Sequence, residues 1–162
     1  MKKYRLFCAV AVVLMLAGCS SAGKRTGPYS LQVTCGGRQT YVDYWSGGWD
    51  GGPEGKNFTA CGDPPTAPEV RDRLECFSAK GGDTLALSYA VAPDSLQVMV
   101  TVDVPEQEPF VTLYEGKPSS NQVEITLPGN CGGVYSVYAN WDMGKNGGGY
   151  SACGFLVLHE ET

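Results

Sequence analysis

From Leu85 to Val104, apolar side chains fall on every second residue: Leu85, Leu87, Tyr89 and Val91, then Leu96, Val98, Val100, Val102 and Val104 beyond the turn-forming pair Pro93-Asp94. Successive side chains of a strand point to opposite faces, so such a run buries one face and wets the other. On a helix of 3.6 residues per turn the same residues would scatter around the axis. The pattern recurs in Leu31 and Val33, in Tyr135, Val137, Ala139 and Trp141, and from Tyr150 to His159. Shorter runs cover Tyr41–Trp45, Phe110–Tyr114 and Gln122–Leu127. Val, Thr and Tyr fill them, as a pleated, half-buried surface favours. Only Pro68–Arg73 opens as a helical turn. Strands at about 10-residue spacing with short turns predict an all-β domain, a β-sandwich over residues 29–162.

The start of the chain reads differently. Lys2, Lys3 and Arg5 precede a run from Leu6 to Ala17 that is apolar apart from Cys8. At about 12 residues it fits a signal-peptide apolar region and is shorter than the roughly 20 a membrane-spanning helix needs. It ends in Leu16-Ala17-Gly18-Cys19, which resembles the lipobox of bacterial lipoproteins. That resemblance implies cleavage before Cys19, acylation of Cys19, and a signal peptide over 1–18. Residues 19–28, small and polar, read as a flexible lipid-anchored tether. Loss of three basic residues leaves nine against 17 acidic ones, so the net charge falls from −5 to −8. An acidic body is repelled by anionic headgroups, so the acyl chains carry the attachment to the membrane. Phosphate binding needs clustered Lys and Arg, so nucleic acid is not an expected partner.

Farther along, Ala92-Pro93-Asp94-Ser95-Leu96-Gln97-Val98, Ile125-Thr126-Leu127-Pro128, Gly133-Val134-Tyr135-Ser136-Val137-Tyr138-Ala139-Asn140-Trp141 and Phe155-Leu156-Val157 follow one another. Together they resemble an uncharacterised domain of small surface lipoproteins from Gram-positive bacteria. The resemblance implies an immunoglobulin-like sandwich whose last two strands form a hairpin, and it implies no activity. The chain departs from that family in lacking an Arg-x-Trp-like pair after the Ser-Leu-x-Val strand and in being richer in cysteine.

Besides Cys8 and Cys19, the body holds Cys35, Cys61, Cys76, Cys131 and Cys153. An exported chain permits disulfides, and five cysteines predict two bridges and one leftover thiol, with the pairing open. A hairpin centred near Lys145–Asn146 sets Cys153 opposite about Tyr138 and so argues against Cys131–Cys153. No Cys-x-x-Cys occurs, which speaks against a redox motif or zinc site, and no cofactor or metal is expected. The single imidazole, His159, lies about 20 Å along one strand from Cys153. It reads as a solvated strand end, and the chain reads as a non-enzyme.

The segment Tyr44-Trp45-Ser46-Gly47-Gly48-Trp49-Asp50-Gly51-Gly52-Pro53-Glu54-Gly55 sets two indoles among glycines and predicts a loop. Trp45 leans to the core and Trp49, the more open of the two, fits core and solvent about equally, while Trp141 belongs to the core. Exposed rings there would give a flat surface for a cell-wall glycan or a surface protein. Asp50 with Glu54, or Glu106 with Glu108, are acidic pairs without the ligand spacing of a calcium loop. Asn146-Gly147 suits a hairpin turn, and Gly144–Gly149 lacks the Gly-Lys-Ser/Thr ending of a phosphate loop. The expected function is that of a lipid-anchored, non-catalytic extracytoplasmic binding or structural module.

Overall fold

A computed structural model describes residues 29–51, 57–101, 110–142 and 144–160. Eleven strands occupy them: β1 (Leu31–Cys35), β2 (Arg38–Val42), β3 (Tyr44–Asp50), β4 (Phe58–Cys61), β5 (Glu75–Ala79), β6 (Thr84–Ser88), β7 (Ser95–Thr101), β8 (Val111–Gly116), β9 (Gln122–Thr126), β10 (Gly133–Asp142) and β11 (Gly148–His159). One helical turn, α1 (Pro68–Arg71), stands where the sequence predicts it, started by a proline that needs no amide partner there. Residues 1–28, which the sequence predicts to be signal and tether, and Glu54, Val102, Val104, Glu106 and Glu108 lie outside the described residues.

The strands form a β-sandwich. One sheet has the order β2-β1-β6-β9 and the other β4-β3-β11-β10-β7-β8. All these pairs are antiparallel. β5 instead runs parallel to the second half of β11, with Ala79 beside His159, while β3 pairs with the first half of the same strand. The alternation read from the sequence is the core. Leu31, Val33, Leu85, Leu87 and Ile125 from the smaller sheet meet Leu96, Val98, Val100, Tyr135, Val137, Phe155 and Val157 from the larger. Burying such faces is the main driving force for sheet packing.

The two ends of the sandwich differ. At one end Tyr29, Trp49, Tyr89 and Trp141 make an aromatic cluster. Tyr29 meets Trp49 edge to face at 5.2 Å and Trp141 at 5.1 Å, so the chain enters the domain through a buried ring. Asp94 braces the same end: it accepts from Lys117 at 2.8 Å and from the Asp142 backbone amide at 2.9 Å. The lysine bond, helped by that amide, holds the Asp94 carboxyl below the ordinary carboxylate range. At the other end lie Cys35, Cys131 and His159. β10 runs between the two ends, about 30 Å for its ten residues.

The connection from β4 to β5 crosses the outer face of the larger sheet. Pro65 is fully buried there and packs on Gly154, where any Cβ would lie 2.3 Å from the proline ring. Small residues on that face, Ser136, Ala152 and Gly154, leave room for the crossing chain.

Candidate functional site

The tryptophan segment is a strand, which corrects the expectation of a loop over Tyr44–Asp50. β3 is hydrogen-bonded on both sides, to β4 and to β11. Glycine suits the close approach of these strands: a Cβ on Gly48 of β3 would lie 2.8 Å from the Tyr150 ring, and one on Gly149 of β11 would lie 2.0 Å from the Gly48 carbonyl oxygen. The register slips between Ala152 and Cys153, so that Ser46 faces Ala152, Tyr44 faces Cys153, and Trp45 is the extra residue of a bulge.

That bulge sorts the two indoles. Trp49 points inward, is only 4% exposed, and packs on Tyr29 and Trp141. The expectation that Trp49 is the more open ring is therefore corrected, and it offers no face to a ligand. Trp45 turns to the outer face, half-buried and edge to face with Tyr138 at 6.2 Å. Its indole N–H is buried and meets no acceptor among the described residues. The exposed Tyr150 lies over Gly48 on the same face, a ring the sequence reading did not single out. Acrylamide should accordingly quench the Trp45 emission and leave Trp49 and Trp141 nearly untouched. Trp45→Phe should remove most of the quenchable fraction, and equal quenching before and after would contradict this placement.

All five body cysteines are free thiols in the structure, where two bridges were expected. Cys61 is exposed on β4 and Cys76 half-buried on the outer side of β5. Cys153 is buried at mid-sheet opposite Val137, one residue from the expected position, and burial pushes its thiol up to about 12. The Ser151 Oγ lies close to both Cys153 and the Tyr89 hydroxyl, yet neither that Oγ nor the Tyr89 hydroxyl completes a well-aligned hydrogen bond.

His159 is the exposed last residue of β11, the solvated strand end the sequence predicts, and it also meets Cys131, a contact the sequence does not predict. The Cys131 Sγ lies 3.3 Å from His159 Nδ1 and 3.3 Å from the Ala79 carbonyl oxygen. A thiol has one proton, so both contacts are satisfied when Sγ–H donates to Ala79 and Nδ1–H donates to sulfur. The parallel pairing of β5 with β11 makes this possible, because it sets Ala79 beside His159. No spacing in the sequence signals it. The Tyr135 hydroxyl donates to the Cys131 carbonyl at 2.8 Å and closes the cluster from below.

The electrostatics favour neutral thiols. Desolvation raises Cys131, and burial, then the neighbouring Cys131, then Asp83 push Cys35 up to about 11. A nucleophilic cysteine needs the opposite shift, so this arrangement is poorly suited to covalent catalysis. Among the described residues, no three His, Cys, Asp or Glu side chains converge as metal ligands. Asp50 is exposed at the end of β3, away from the thiol cluster. With this geometry in hand, the fold defines the chain as a β-sandwich protein. No protein-family model matches the chain, and no curated protein does so either.

Proposed function

We propose that the chain is a lipid-anchored extracytoplasmic protein whose immunoglobulin-like β-sandwich binds or supports a component of the cell surface without catalysis. The run Leu16-Ala17-Gly18-Cys19 behind a basic start and an apolar stretch carries the reading. The neutral, buried state of Cys131 supports the non-catalytic part. The fold alone assigns no ligand. Tyr29 docks in the core directly after the tether, so the aromatic end of the sandwich would face the membrane and the thiol end would face outward. The test is incorporation of radiolabelled palmitate by cells expressing the full chain. Label should enter the wild-type protein and be absent from Cys19→Ala, and an unlabelled wild-type protein would overturn the anchor.

A further inference from the structure

We propose that Cys35 and Cys131 are a disulfide-forming pair that ties the two sheets together at the end of the sandwich remote from the tether, with His159 as the residue that assists ionisation of Cys131. The two sulfurs come from distant segments, one in the smaller sheet and one in the connection leading into the larger. Cys35 is the last residue of β1, and Cys131 lies two residues before β10. Both are in the shared core, at 1% and 0% exposure. They converge on the same short stretch of β5. The residue after Cys35, Gly36, approaches so closely that a Cβ there would lie 1.8 Å from the Ser78 carbonyl oxygen. Cys131 Sγ donates to the carbonyl of the next residue, Ala79.

The other cysteines lie elsewhere. Cys153 sits at mid-sheet opposite Val137, while Cys61 and Cys76 belong to strands whose positions there face the outer side of the larger sheet. The electrostatic proximity of the two thiols agrees with the geometry: each stands near enough to Tyr135 to oppose ionisation of its hydroxyl, and Cys131 does the same to Cys35.

The reaction is thiol–disulfide exchange with a small disulfide of the oxidising compartment. Cys131 loses its proton to water, with Nδ1–H of His159 stabilising the thiolate, and the thiolate attacks the disulfide. One thiolate leaves, and a mixed disulfide remains on Cys131. Cys35, deprotonated in turn, attacks the Cys131 sulfur and expels the second thiolate. The two electrons lost by the protein thiols reside in the two released thiolates, which take up the two protons. High thiol pKa values keep both sulfurs largely protonated in the closed fold, so the exchange there is slow. Its formation in the cell rests on the export proposed above, because a reducing cytosol keeps such pairs as thiols.

The test uses the full chain, purified in detergent under reducing conditions and equilibrated in buffers of reduced and oxidised glutathione. Samples are acid-quenched, alkylated in denaturant, digested and mapped by mass. The expected product is one linked peptide pair containing Cys35 and Cys131, formed equally by a Cys61→Ser/Cys76→Ser variant, with a higher unfolding midpoint in the oxidised chain. Alkylation of both residues at every glutathione ratio, or a link from either to a different cysteine, overturns the pair. His159→Gln should slow bridging several-fold at an unchanged final fraction, and an unchanged rate removes His159 from the proposal. These measurements are made on purified chain, so their failure leaves the palmitate result standing. A missing palmitate label beside an intact bridge removes only the lipid-anchor reading.

Discussion

Trp141→Ala lowers the unfolding free energy by about 3–5 kcal/mol, as truncation of a fully buried large aromatic does. The indole is the hub of the aromatic end. Tyr29 and Tyr89 each lie 5.1 Å from it, Trp49 lies 6.2 Å away, and only 2% of the residue is exposed. Removing it leaves a void that three rings from three different chain segments cannot fill without moving backbone. The loss has a polar part as well. Trp141 Nε1–H donates to the Val91 carbonyl at 3.1 Å, and an alanine leaves that acceptor without its donor in a part-buried site. Against a usual domain stability of about 5–15 kcal/mol, the change removes a large fraction of the whole. Urea unfolding of the full chain, followed by far-ultraviolet circular dichroism, measures it. Trp141→Phe, which keeps most of the volume and loses the N–H, should fall between alanine and wild type. A loss below about 1 kcal/mol for alanine would contradict the hub.

The same residue shows what the sequence makes legible. Trp141 shares parity with Tyr135, Val137 and Ala139, and the pleat alone places it in the core. Over the described residues the long alternating runs are read correctly for the same reason, since a one-residue error would turn every side chain outward. Trp45 and Trp49 are four apart and would share a face on a regular strand. The bulge at Trp45 breaks that rule, and nothing in the local composition marks it. The glycines nearby mislead further. Glycine between turns and glycine between close strands look alike until the partner strands, with Gly148 and Gly149, are known. His159 is a case of a different kind. It meets Cys131 because β5 lies parallel to the end of β11, a pairing between segments far apart in the chain. Local pattern determines which face a residue takes, but only topology determines which residues meet across it.

Gly36→Ala and Gly37→Ala separate two costs at one turn. These residues form the two-residue connection between Cys35 and Arg38, with φ values of +55° and +75°. Two positive values in a row match the mirror-image hairpin turn that fits the strand twist, and side chains other than glycine resist them. Alanine at Gly37 meets nothing within 4 Å, so its cost is conformational alone, about 1–2 kcal/mol. Alanine at Gly36 pays the same backbone penalty and also drives its Cβ to 1.8 Å from the Ser78 carbonyl oxygen, a backbone atom held in the β5–β11 ladder. The total expected at Gly36 is about 2–5 kcal/mol, because forcing extra volume into a packed site adds to the strain. The hairpin must tilt away from β5, and Cys35 goes with it. Gly36→Ala should therefore lower the yield of the Cys35–Cys131 linked peptide at a fixed glutathione ratio, while Gly37→Ala leaves that yield near wild type. Equal losses of stability at the two positions would show that Gly36 does not press on β5, and equal peptide yields would show that this contact does not hold Cys35 within reach of Cys131.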